Sequence, residues 1–285
     1  MSAARIDLDQ LRTWIGRTET RTDLATAAPH AALSATLDRE DAEPVNGTVV
    51  PPLWHWLYFL PMSPMSDVGP DGHPTRGGFL PPVPLPRRMF AGGRFEFHHP
   101  LKIGERIERT SSITDVSGKQ GRSGSLVFVT VRHEIANDGG VALSEEHDIV
   151  YRENSRADAP IPKPTPAPTG ETFAREVVAD PVLLFRYSAL TFNSHRIHYD
   201  RSYVTEVEGY PGLIVHGPLI ATLLVDLLRR NLPKASVRSF SFRALRPLFD
   251  IHRFMLCGRA EGKRVALWTR DHEGSLTMDA SAQLT

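Results

Sequence analysis

The chain has one cysteine, Cys257, in 285 residues. That excludes an internal disulfide framework and a cysteine-based zinc site, and such thiol use points to a reducing, cytoplasmic setting. An excess of one charge is also missing: 33 Lys+Arg balance 33 Asp+Glu. No basic surface of the kind that holds nucleic acid is implied. Apolar runs such as LIATLLVDLL at 219–228 fall short of the roughly 20 residues a membrane helix needs. The opening MSAARIDLDQLRTWIG brings acids early and has no apolar core, so it does not read as a secretory signal. What is left is an ordinary globular composition, long enough for one large domain or two smaller ones.

Proline is plentiful, at 23 residues, and five of them crowd into the end of ENSRADAPIPKPTPAPTG, residues 153–170. Such a segment favours extended geometry and cannot form a core. It is expected to tether residues 1–152 to residues 171–285; an insertion inside one domain is the alternative.

The flanking halves resemble each other. Phe95, Phe97, Ile103 and Glu105 meet Phe240, Phe242, Leu248 and Asp250 at a constant offset of 145. Alternation predicts strands in SLVFVTVRHEI (125–135) and VALSEEHDIVYR (141–152), joined by a hairpin at ANDGG, and again in RVALWTRDHEGSLTMDASAQL with HEG as the turn. Each half has one apolar helix candidate ahead of its strands, PPLWHWLYFL at 51–60 and PLIATLLVDLLRR at 218–230. The second has proline near its start and arginines at its end. The expected fold is α+β: two curved antiparallel sheets joined edge to edge, each packed on a helix.

Chemistry concentrates in TFNSHRIHYD (191–200) and GLIVHGPL (212–219). His198 can take and return a proton near neutral pH. Asn193 can hold a water or a substrate oxygen but is no general acid. A packed or surface histidine is the bland alternative. A metal held by His195, His198 and either Asp200 or His216 is a third, but the spacing matches no strong zinc pattern. Gly217 sits at the mouth of the second helix candidate, where orphan N–H groups and the dipole favour developing negative charge. The alternative is a glycine needed only for the turn.

These two stretches resemble those of the MaoC-like (R)-specific enoyl-CoA hydratases. The family motif, aspartate then asparagine two on and histidine five on, aligns with Asn193, His195 and His198; its glycine-containing helix start aligns with Val215, His216 and Gly217. The whole chain is similar to the double hot-dog branch that includes type 2 3-hydroxyacyl-thioester dehydratases and the itaconyl-CoA and mesaconyl-C4-CoA hydratases. The resemblance implies a double hot-dog fold and reversible hydration of an acyl-CoA. It implies Asn193, His198 and Gly217 as catalytic, with no cofactor and no metal, CoA arriving as part of the substrate. Asn193 departs from the aspartate of the best-known branch, which leaves the acid unassigned. The first half matches neither motif and reads as a degenerate copy.

His195, His216 and the arginines Arg87, Arg88 and Arg94 are further candidates for substrate binding. A guanidinium fork suits a carboxylate or phosphate, while solvated loop arginines are the alternative. Arg196 and Arg201 flank the motif, and Arg230 reads as a helix C-terminal charge. The resemblance favours a branched dicarboxylic acyl group. A fatty 3-hydroxyacyl thioester, thioester hydrolysis and non-catalytic CoA-ligand binding are the other readings. No nucleic acid or membrane partner is expected; the sequence leaves open whether the chain forms a homodimer or its first half replaces a homodimer partner.

Overall fold

The computed structural model describes residues 6–75, 77–121, 124–153 and 163–285. In chain order its main elements are α1 (Leu8–Arg12), β1 (Thr18–Leu24), α2 (Ala27–Thr36), β2 (Arg87–Phe97), β3 (Arg106–Gly121), β4 (Gly124–Asn137), β5 (Gly140–Arg152), β6 (Phe173–Val177), α3 (Pro181–Leu190), α4 (Gly217–Asn231), β7 (Val237–Ala244), β8 (Phe254–Glu261), β9 (Arg264–Arg270) and β10 (Leu276–Leu284). The predicted hairpins form at 137–140 and 270–276, with Gly140 and Gly274 in the left-handed region their turns require.

All ten strands join one antiparallel sheet in the order β1-β3-β4-β5-β2-β7-β10-β9-β8-β6. Read from either end the order is the same once β1 is matched with β6, β3 with β8, β4 with β9, β5 with β10 and β2 with β7. The centre of that symmetry is the β2–β7 seam, where Phe95 stands directly opposite Phe240. These are the residues matched by the offset of 145. Their rings lie 6.0 Å apart, and Phe95 stacks on Phe242 at 6.1 Å. Gly92 lets the strands approach here, since a Cβ would lie 2.6 Å from the Phe242 carbonyl oxygen. The AGG stretch, residues 91–93, is therefore interior strand with a bulge between Phe90 and Gly92.

The second helix forms as expected. α4 is apolar on all sides because it is enclosed on all sides: every residue from Leu219 to Leu228 is buried. Its one acid, Asp226, is fully buried and meets Arg39 at 2.5 Å, Arg175 at 3.2 Å and Arg230 at 2.6 Å. Arg230 also donates to the Leu37 carbonyl. It is thus a bridge between the halves as well as a helix-terminal charge.

The first-half helix predicted at 51–60 does not form. Those residues make one short 3₁₀ turn, Trp54–Leu57, between Leu53 and Phe59, both at positive φ. Two prolines at the start and left-handed residues at both sides stop helix propagation. The aromatics are still core, with Trp54, Leu57, Tyr58 and Phe59 buried. Residues 154–162 of the expected tether lie outside the described residues; 163–170 pass along β10's start, where Pro166 bridges Ser275.

Candidate active site

The segment 191–200 follows α3, whose N-cap Asp180 accepts from the Leu183 N–H. Thr191 closes the helix and Phe192 turns at φ 50. Asn193 then accepts the His195 N–H on Oδ1 at 3.0 Å, an Asx turn. A short 3₁₀ turn, Arg196–His198, brings His198 inward. Two reciprocal bonds pin it: the Ile214 N–H donates to the Ile197 carbonyl, and His198 Nδ1 donates to the Ile214 carbonyl at 2.7 Å. With Nδ1 carrying the proton, Nε2 keeps its lone pair. Burial, against the Ile214 carbonyl and with help from the His73 charge, pushes the His198 pKa down to about 4. The neutral, proton-accepting form therefore prevails at neutral pH.

The second segment lies alongside. His216 stacks on His198 with ring centroids 3.6 Å apart, and Ser188 Oγ holds its Nε2 at 2.8 Å. Burial keeps His216 well below the usual histidine range. As N-cap of α4 it provides no side-chain cap, and Pro218 has no N–H. The Gly217 amide is thus the outermost donor of a 15-residue helix. Gly217 has an ordinary negative φ, and a Cβ there would meet nothing within 4 Å. Turn geometry does not demand this glycine.

His198 and Gly217 open onto one cavity of about 1340 Å³, which Asn193, His195, His216 and Arg88 also line. The other expected arginines are engaged elsewhere. Arg87 donates to the Tyr210 hydroxyl at 2.5 Å and pairs with Glu208. Arg94 pairs with Glu146 and Asp148 away from the cavity wall, so it is no clamp there. Arg196 is held by Asp200, and Arg201 by Asp250. Conversely, Arg246 lines the cavity with its Nη1 buried and without a partner among the described residues.

A loop of the first half, residues 69–75, completes the wall. The Arg196 N–H donates to the Asp71 carbonyl and Ser194 Oγ to the Gly72 carbonyl at 2.6 Å. Gly72 has φ +87, and a Cβ would fall 1.8 Å from the Ser194 carbonyl oxygen, so only glycine fits. The loop sets His73 against His195, ring centroids 3.8 Å apart. Sequence reading missed Asp71 and His73. The available signal was PDGHP at 70–74, a histidine fixed within turn chemistry.

Among the described residues, metal-type donors converge within 4.8 Å in two groups: Asp71, His73 and His195, and His133, Glu145 and His147. The set suggested by sequence, His195 and His198 with Asp200 or His216, is neither of them. In the first group the histidine rings lie 3.8 Å apart with their planes tilted by 40°, and the Asp71–His73 hydrogen bond uses one donor pair. In the second, fully buried Glu145 is bound by His55 at 2.8 Å and Trp56 at 3.2 Å. Burial would raise that carboxyl, but His147 and His55 hold it well below the usual range.

A sheet folded twice around the seam, with a helix-mouth donor and an imidazole on one cavity, defines a double hot-dog protein. A MaoC-like dehydratase from Phytophthora capsici has the same fold: TM-score 0.72 at 14% identity, covering 98% of both chains. So does a Mycobacterium tuberculosis protein described as a double hot-dog, TM-score 0.58 at 14% identity, again over 98% of both. Residues 53–250 match the profile of hydroxyacyl-thioester dehydratase type 2. The mesaconyl-C(4)-CoA hydratase of Chloroflexus aurantiacus is 50% identical over 274 residues, 95% of this chain and 96% of that one. The chain belongs to the hydroxyacyl-thioester dehydratase type 2 family, cofactor-independent hydro-lyases of acyl thioesters. Among the described residues, no helix is long and apolar enough to cross a membrane.

Proposed function

We propose that this chain reversibly hydrates a short dicarboxylic enoyl-CoA of the mesaconyl-C4 type, using His198 as base and the Gly217 amide as oxyanion donor. The carrying observation is that both groups face one cavity. His198 Nε2 takes a proton from water as the water oxygen bonds the β-carbon. The thioester oxygen gains negative charge and is held by the Gly217 N–H at the positive end of α4. Asn193 Oδ1 is taken by the His195 amide, which leaves its Nδ2 to hold the water. The substrate class rests on the half-identical relative's name and on Arg88 and Arg246 in the wall. The reading includes a degenerate hot-dog at 1–152, a tether at 153–170 and a catalytic hot-dog at 171–285, which the palindromic strand order supports. It also includes a cytoplasmic setting, in keeping with the buried free thiol of Cys257.

The test is to supply mesaconyl-C4-CoA, itaconyl-CoA and crotonyl-CoA and to follow enoyl absorbance and free thiol separately. Enoyl loss without thiol release, fastest on a carboxylated substrate, is expected. Thiol release, or turnover of crotonyl-CoA alone, rejects the reading. Arg246→Gln is expected to lower kcat/KM on the carboxylated substrate roughly 10- to 100-fold, as for loss of a charge-assisted bond. Crotonyl-CoA turnover should stay within about threefold; equal loss on both would move the contact to the CoA portion.

Gly217→Ala separates the catalytic from the structural use of that residue. Because φ is ordinary and the added methyl meets no protein atom, helix propensity predicts unchanged or slightly raised stability. The same methyl enters the space before the N–H, so kcat/KM should fall at least about tenfold. Full activity in a folded Gly217→Ala protein would leave the helix mouth without a role.

A further inference from the structure

With Asn193 where an aspartate would stand, the reaction needs a proton donor that segment 191–200 does not contain. His195 is disqualified by charge. Burial, then the neighbouring His73 and His198, push its pKa down to about 2, so it carries no proton to give at neutral pH. We propose that the donor is His73 of the first half, kept protonated by Asp71: His73 is the catalytic acid and Asp71 its positioning residue. This inference rests on the hydratase reading above.

The geometry carries it. His73 lines the same cavity as His198, Asn193 and Gly217. Asp71 grips it twice, Oδ1 accepting the His73 N–H at 2.9 Å and Oδ2 meeting ring Nδ1 at 3.2 Å. The loop is positioned through main-chain groups: Pro70 O accepts from Arg196, Asp71 O from the Arg196 N–H, and Gly72 O from Ser194 Oγ. Side-chain changes at 71 or 73 therefore leave the docking bonds in place. The rings form a series of neighbours, His73 to His195 at 3.8 Å, His195 to His198 at 5.4 Å, His198 to His216 at 3.6 Å.

Charge divides acid from base along that series. Burial would raise the Asp71 carboxyl, but the His73 ring and amide outweigh it and hold Asp71 below the ordinary range, ionised. An ionised carboxylate favours the imidazolium beside it. That positive charge in turn favours neutral His195 and neutral His198. Two like groups with their proton affinities pushed apart are the mark of an assigned acid and base. The groups beside His73 include Asp71 on its own loop and His195 across from it, with His198 close enough to feel its charge. Arg88 on β2 acts on His195, and Tyr203 feels Asp71.

The proton balance closes without a further reactant. His198 Nε2 gains the proton that water loses as the C–O bond forms. The α-carbon of the enolate gains the His73 proton as the C–H bond forms. His73 is then neutral and His198 charged, and one proton passing back from His198 to His73 restores the start. Dehydration runs the same steps in reverse.

The experiment compares wild type, His73→Gln and Asp71→Asn on crotonyl-CoA and mesaconyl-C4-CoA across pH 5–10, with ring-nitrogen NMR of His73 in wild type and Asp71→Asn. His73→Gln should lower kcat roughly 10²-fold or more, with KM within about threefold and thermal unfolding unchanged. The alkaline limb of the wild-type pH profile should vanish with it. Asp71→Asn should keep more activity than His73→Gln and shift that limb, and the His73 titration, to lower pH. His73→Gln with wild-type kcat and limb overturns the proposal. So does a His73 ring that titrates alike with and without Asp71, a result that needs no turnover. Loss of wild-type activity on chelation, restored by one equivalent of zinc, would make the cluster a metal site and also overturn it. Failure of wild type to hydrate either thioester sinks the hydratase reading instead, and the NMR comparison still decides the Asp71–His73 pairing.

Discussion

His198→Ala is expected to lower kcat roughly 10²- to 10⁴-fold, the range for a positioned proton acceptor. The prediction is strict because the ring's chemistry is set by two features of its surroundings. The Nδ1 bond to the Ile214 carbonyl fixes the tautomer, and burial keeps the ring neutral down to about pH 4. Protonation of His198 should therefore give no acid limb near the 6.5 of a free imidazole, and rate lost below that pH should track unfolding. Alanine also strips a buried carbonyl of its donor and removes one face of the His216 stack, a destabilisation of about 1–3 kcal/mol. His198→Asn, whose Nδ2 can still donate to Ile214, should recover much of that stability and none of the rate. Steady-state hydration and thermal melts on both variants provide the check. Turnover within tenfold of wild type in either would remove His198 from the mechanism, whatever the fold did.

What the sequence made legible follows from which forces act locally. Period-two alternation and glycine turns are short-range, so β4, β5, β9 and β10 were read within two or three residues. The offset that pairs Phe95 with Phe240 was also in the sequence, and it falls on the pseudo-symmetry centre of the sheet. α4 was readable because its whole apolar run is enclosed. The 51–60 stretch is also largely apolar but is shaped by φ values at Leu53 and Phe59 that no periodicity reports. The site divides in the same way. His198 and Gly217 belong to contiguous motifs. Asp71 and His73 reach them only through loop docking across about 120 positions of chain, a tertiary fact with no local signature. The arginines were misjudged for a related reason: guanidinium chemistry is visible in sequence, but its partner is not. Arg87 and Arg94 found carboxylates within the fold, and Arg246, which was not considered, lines the cavity.

The second large effect concerns acid stability. Five histidines, His30, His133, His195, His198 and His216, are held below the ordinary value chiefly by burial, His133 to about 3 and His198 to about 4. In the unfolded chain each would titrate near 6.5. Between 6.5 and the folded value the unfolded state binds more protons, so stability rises with pH through that window and is lost as pH falls. At pH 5.5 a histidine held neutral costs about 1.4 kcal/mol, and the four most strongly depressed, His133, His195, His198 and His216, together cost about 6 kcal/mol. That rivals the roughly 5–15 kcal/mol by which a typical domain is stable at all. The fold should therefore fail between about pH 6.5 and 4, before its depressed carboxylates Asp41, Asp71 and Glu145 begin to protonate and remove more. Urea unfolding at pH 7.5, 6.5 and 5.5 should show a steep fall in midpoint, with several protons taken up. His133→Asn, which removes a titrating ring far in sequence from the site while keeping a donor for Ser111, should reduce that uptake by one proton. A midpoint that stays flat from pH 7.5 to 5.5 would mean that these rings are not held neutral, and the low proton affinity assigned to His198 would fall with them.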